Sequence, residues 1–184
     1  MNPKFRLWIW LIMIFGGLLI SVLLDLLYFR SLFLSWKFHL LTFPAGAGLL
    51  YAVRRVSRNT GRILAKHGRD GNIPRFETNR LVDKGPYAYM RHPMHLGLLF
   101  FPLSFGLLAG SPAFILFVWP LEMIFMLLMI KYVEEPEAMK KFGKAYKEFT
   151  LTRPWFCVRP ECLKSLWREV DFEGGKSPLS HGCR

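Results

Sequence analysis

The apolar residues of this chain come in long blocks that carry no polar face. A block of that kind cannot be one side of a soluble helix or strand, because every face would have to be buried. Lipid accepts it, since a helix satisfies its own backbone and presents apolar side chains all round. One block covers about residues 7–27, roughly the 20 residues that a bilayer crossing needs. A second, residues 32–53, is apolar apart from Lys37 and His39 near its outer end. It contains Pro44 and the run Ala45-Gly46-Ala47-Gly48, which admit a kink and close helix contact. Apolar character returns at Leu96 and lasts to Val133, interrupted at Gly110-Ser111-Pro112. That length is about two spans, and the break predicts a helical hairpin with a third span near 95–109 and a fourth near 113–133.

Charge settles which solvent the polar segments meet. A net charge of +12 would suit nucleic acid, but its distribution argues against that partner. Two basic residues precede the first block, two lie around the first hairpin, ten fall in 54–95 and eleven in 131–184. Positive charge gathered between alternate spans is the positive-inside pattern. It predicts a multi-pass protein with both termini, the 54–95 segment and the C-terminal region in the cytosol. Trp8, Trp10 and Tyr28 suit the two interfaces, with Asp25 an interfacial acid near the span's end. The first block is too long for a signal-peptide core and is expected to be a retained span. Cys157, Cys162 and Cys183 make no disulfide framework and are expected as reduced thiols. The expected fold is therefore all-α, a polytopic membrane helical bundle of about four transmembrane helices. An amphipathic cytosolic helix follows near 135–150, with a loose tail from about Gly174. The organisation expected is a two-span region (1–53), a core (54–160) and a polar tail (161–184).

The unusual chemistry flanks the hairpin. Before it stands Gly85-Pro86-Tyr87-Ala88-Tyr89-Met90-Arg91-His92-Pro93-Met94-His95-Leu96-Gly97. After it stand Glu134-Glu135-Pro136, Phe142-Gly143-Lys144-Ala145-Tyr146 and Arg153-Pro154. A hairpin returns the chain to the same membrane face, so the Arg and His of one segment can meet the paired acids of the other. Such a pocket suits S-adenosylmethionine: Arg can hold its carboxylate, an acid its ammonium or ribose diol, and Tyr87 can face the adenine or the sulfonium. No Gly-rich loop follows a strand, so a Rossmann-type cradle is excluded. Bland readings stand beside these. His92-Pro93 can simply start a helix, the two acids can be a solvated cap, and Phe142 and Tyr146 suit helix packing. Glu122, mid-span, should face the bundle. His67 and His181 read as solvated, and His39 as interfacial.

The ordered set Gly-x-Tyr, Arg-His-Pro-x-x-x-Gly, helical hairpin, Glu-Glu, Phe-Gly-x-x-Tyr resembles the isoprenylcysteine carboxyl methyltransferase family and its phospholipid-methyltransferase relatives, over about residues 72–154. The resemblance implies S-adenosylmethionine-dependent methyl transfer to a lipid-like or membrane-partitioned acceptor, whether carboxylate, amine or thiol. It implies cofactor contacts from Leu81, Val82, Tyr87, His92, Pro93, Met94, His95, Glu134 and Glu135. Arg91, His95 and Arg153 are its catalytic candidates, with Lys131 facing the acceptor. His95 stands where the family often has Tyr, Phe149 replaces a common Tyr, and Thr152-Arg153-Pro154 replaces Val-Pro-Arg. Two alternatives remain: an NADPH-dependent reductase of the sterol-reductase type, which resembles the Arg-His-Pro and tail pattern, and a non-catalytic membrane scaffold. Five scattered histidines are too few for a di-iron oxidase, and no metal is expected.

Overall fold

The computed structural model describes residues 3–72 and 78–168, and among them it contains helices and no strand. The expected loose tail from Gly174, with His181 and Cys183, lies outside the described residues. Among the described residues two helices are long and apolar enough to cross a membrane, Phe5–Tyr28 and Phe114–Phe142. A shorter apolar stretch covers Pro93–Ala109. The chain divides into two compact units. The first holds the described residues up to Val53 together with Leu98–Val133; the second holds Arg54–Gly97 and the described residues from Glu134.

The first unit contains α1 (Pro3–Tyr28), the short α2 (Arg30–Phe33) and the start of α3 (Trp36–His67), which runs through Pro44 without ending. Glycines set how closely these helices approach. A Cβ on Gly17 would sit 2.5 Å from Val118 Cγ1, and one on Gly46 would sit 2.7 Å from the Leu108 backbone nitrogen. Only a bare backbone fits either contact. The hairpin turn is built from the residues that the sequence pattern singles out. Gly110 closes the preceding helix at φ 59°, and the Ser111 hydroxyl accepts the Phe114 N–H at 3.1 Å. Asp25 belongs to this turn and, contrary to expectation, does not reach water. It is fully buried, accepts the Ala113 N–H at 2.8 Å and accepts the Ser111 hydroxyl. The orphan N–H groups of a buried helix start require such an acceptor, and α1 supplies it.

The apolar stretch before the turn is not one helix. α4 (Pro93–Leu98) and α5 (Phe101–Ala109) are separated at Leu99-Phe100, because Pro102 has no N–H for a continuous ladder. The Leu99 carbonyl near this break accepts the Trp119 indole N–H at 3.0 Å. After the turn come a π-helical stretch (Phe114–Val118), α6 (Trp119–Met129) and a second π-helical stretch (Ile130–Glu134). Glu122 does turn inward: it is 3% exposed, and neither carboxylate oxygen has a hydrogen-bond partner among the described residues.

In the second unit a 3-10 turn (Gly85–Ala88) leads to Met90, which is fully buried. The single amphipathic helix expected near 135–150 is two helices, α7 (Glu135–Phe142) and α8 (Lys144–Thr152). Gly143 divides them with φ 55° and ψ −127°, a conformation that other residues avoid. The start of the expected polar tail is also structured. α9 (Pro160–Trp167) buries Cys162 and Leu166 against Val56 and Met90, and its i, i+4 spacing puts those two on one face. The Asn59 side-chain amide donates to the Leu166 and Arg168 carbonyls at 2.8 and 2.7 Å, tying off the end of α9. Cys157 and Cys162 form a disulfide, contrary to the expectation of free thiols, because α9 folds back to bring their Cα atoms to 5.9 Å.

Candidate functional site

Every side chain of the candidate site belongs to the second unit. Backbone pairing builds its frame. The Arg91 N–H donates to the Pro154 carbonyl at 3.0 Å, and the His92 N–H to the Trp155 carbonyl at 3.1 Å. The Arg153 Nε–H donates to the Ala88 carbonyl at 3.0 Å while its guanidinium lies 4.5 Å from the Phe149 ring centre. The stretch 153–155 is thus laid against 88–92. α4 begins immediately after, so His92 and His95, three residues apart, share one face.

The two acids at the start of α7 have different surroundings. Glu135 is the anchor. Its Oε2 accepts from Arg91 Nη1 at 2.5 Å, and its Oε1 accepts from His92 Nε2 at 2.7 Å and from the Tyr146 hydroxyl at 2.8 Å. Glu134 faces both imidazoles. Its Oε1 lies 3.1 Å from His95 Nε2, and its Oε2 lies 3.9 Å from His92 Nδ1. The two imidazoles meet edge to face with centres 5.5 Å apart.

These partners fix protonation. Burial pushes the His92 imidazole below its ordinary range, outweighing its hydrogen bond to Glu135. A carboxylate only accepts, so the one proton of neutral His92 sits on Nε2 and Nδ1 is bare. Burial, then the bond to Glu135, pushes the Tyr146 phenol upward and keeps it a donor. Burial, then the Glu134 charge, does the same for Tyr87. The Arg91 Nε–H is buried with no partner among the described residues.

Of the residues singled out from the sequence, Arg91, His92, His95, Glu134 and Glu135 are brought into one cluster. Pro93 and Met94 open α4 beside it, Pro93 being buried and Met94 half-buried. Arg153 sits in the supporting frame. Tyr87 is buried with Ile63 and Val82. Leu81 and Val82 line a cavity of about 230 Å³ at the end of α3, with Lys66, His67, Arg80, Asp83 and Lys84. Tyr146, weighed from the sequence as a packing residue, bonds Glu135 instead, and Trp155 is a participant that the sequence reading did not name. The Phe-Gly-x-x-Tyr unit already marked Tyr146; nothing in the sequence marked the Trp155 carbonyl.

The phospholipid methyltransferase family matches residues 47–145, more than half of the chain. The chain belongs to that family. It is a family of membrane methyltransferases related to the isoprenylcysteine carboxyl methyltransferases. No curated protein and no solved structure matches the chain. The matched stretch of this phospholipid methyltransferase family member includes the His-Glu cluster and ends just before Tyr146.

Proposed function

We propose that the protein transfers a methyl group from S-adenosylmethionine to a lipid-like or membrane-partitioned acceptor at the cytosolic membrane interface. The observation that carries this reading is the convergence of Arg91, His92, His95, Glu134 and Glu135, with Glu135 held by three donors and Glu134 set beside both imidazoles. The residues fit the cofactor. The unpartnered Nε–H of Arg91 suits its carboxylate, and Glu134 suits its ammonium or its diol. Tyr87, Pro93, Met94, Leu81 and Val82 are proposed as its further contacts, with Arg153 toward the acceptor. When bound, the cofactor supplies an electrophilic methyl carried on a sulfonium.

The protein's own part is alignment and exclusion of water. Glu135 locks Arg91 and His92 in place, and α7 and α4 hold Glu134 opposite His95. An acceptor carboxylate is ionised at neutral pH and needs no base. An amine or thiol must release a proton, and His95, in contact with Glu134, is the group to receive it. Four spans with both termini in the cytosol are proposed with this reading, because they put the basic segments and the site on one side.

Calorimetry on the detergent-purified protein tests the assignment, with S-adenosylmethionine and NADPH compared. Binding of the former, lost in Glu134→Ala, is expected, followed by transfer of radiolabelled methyl to a member of a lipid, thiol and amine panel. Binding of NADPH instead, or undiminished S-adenosylmethionine binding by Glu134→Ala, overturns it.

A further inference from the structure

His92 turns its two ring nitrogens toward two carboxylates: Nε2 lies 2.7 Å from Glu135 Oε1, and Nδ1 lies 3.9 Å from Glu134 Oε2. A third donor is at hand: His95 Nε2, 3.1 Å from the other oxygen of Glu134. One ligand atom from each of His92, His95 and Glu134 falls within 4.8 Å of the others. Ligands around a tetrahedral zinc, with bonds near 2.0–2.1 Å, stand ~3.3 Å apart. The contacts of 3.1 and 3.9 Å bracket that spacing but are made to different oxygens of Glu134, so the carboxylate must turn and three atoms now within 4.8 Å of one another must draw together to complete the triangle.

The surroundings are those of a metal ligand set. Metal-bound histidines usually donate their second ring N–H to a carboxylate, which fixes the tautomer and raises the basicity of the ligating nitrogen. Glu135 does this to His92 at 2.7 Å and is itself held by Arg91 and Tyr146. His95 joins by shifting its proton to Nδ1, with no net proton release. Two imidazoles and one carboxylate select a borderline divalent ion such as zinc or iron(II), and leave a fourth position open.

We propose that His92, His95 and Glu134 form a binding site for a divalent transition metal, and that metal and methyl donor exclude one another there. The metal site stands on the geometry alone; the exclusion rests on the donor reading above, because both ligands require Glu134. The chain would then lose donor affinity wherever free zinc rises.

The test uses the full chain in detergent after chelator stripping. Zinc is titrated by calorimetry, and cobalt(II) by its visible absorption. One equivalent should bind, and His95→Ala or Glu134→Gln should weaken it by about 100-fold or more. Glu135→Gln, which removes only the orienting carboxylate, should weaken it about 10- to 100-fold. Should His92→Ala fail to fold, the partly exposed His95 and Glu134 still decide the matter. Wild-type zinc affinity in both His95→Ala and Glu134→Gln, or no binding by the native chain, overturns the site. S-adenosylmethionine titrations at zinc 100-fold above its Kd should then show an apparent donor Kd raised about 100-fold. An unchanged donor Kd overturns the exclusion. Zinc binding with no donor binding to the stripped protein overturns the donor reading, and the exclusion with it, while the metal site stands.

Discussion

Glu134 and Glu135 are adjacent and chemically identical, yet their substitutions should separate stability from ligand binding. Glu135 holds three donors, and the Glu135 and Arg91 side chains are only 17% and 12% exposed, so water cannot replace what is lost. Glu135→Gln keeps the shape but retains one accepting oxygen and turns an amide N–H toward former donors. The charge-assisted bond to Arg91 is worth about 1.5–3 kcal/mol, and one further neutral bond about 1 kcal/mol. Loss of about 3 kcal/mol follows, consistent with breaking a buried ion pair from one side. Glu134 is 28% exposed, and its contact with His95 is one that a Gln oxygen still satisfies. Its substitution should cost less than about 1 kcal/mol. For a chain of this size about 3 kcal/mol lowers the unfolding midpoint by about 6–12 °C, against less than about 4 °C for Glu134→Gln. Thermal unfolding in detergent measures both, and calorimetry with S-adenosylmethionine gives the complementary order. Glu134→Gln should lose at least about tenfold in affinity, or 1.4 kcal/mol, while remaining folded. Equal midpoints for the two variants, or a larger drop for Glu134→Gln, refute the division of labour.

Three further outcomes follow from local geometry. Asp25→Ala removes the acceptor of the Ala113 N–H and the Ser111 hydroxyl and should destabilise the first unit by about 2 kcal/mol, read as a lower unfolding midpoint with native helix content. Asn59→Ala frees the Leu166 and Arg168 carbonyls and should speed amide exchange across α9 by about tenfold or more, with α1 unaffected. Gly143→Ala meets no steric neighbour, so its whole cost is backbone strain of about 1–3 kcal/mol; it should loosen α8, measured as weaker protection of Tyr146 in exchange experiments.

The sequence made the apolar segments and the reactive cluster legible for different reasons. Blocks without a polar face allow few folds, and Gly110-Ser111-Pro112 has few conformations other than a turn, so both could be read locally. Arg91, His92, His95 and the two acids were legible because the resemblance supplied what spacing alone does not. Asp25 was misread since its partners lie about 86–88 residues away, and an acid near a span's end looks wet until the turn is placed over it. The break at Leu99-Phe100 was hidden by uniform apolarity, although Pro102 carried a signal for it. α9 was missed because Pro160–Trp167 is short and mixed in character, and only its Cys162 and Leu166 face the core. The unequal roles of Glu134 and Glu135 were invisible for the simplest reason: hydrogen-bond saturation is a property of neighbours, and Tyr146 and Arg91 are neighbours only in the fold.

The backbone clamp of 88–92 by 153–155 also sets a schedule for biosynthesis. A ribosome adds roughly 5–20 residues per second, so several seconds pass between the emergence of Arg91 and that of the Pro154 and Trp155 carbonyls that fix it. Throughout that interval the nascent chain carries its imidazoles without the segment that aligns them. The clamp therefore closes late, only once Pro154 and Trp155 themselves have been translated, and an unfinished chain lacks it.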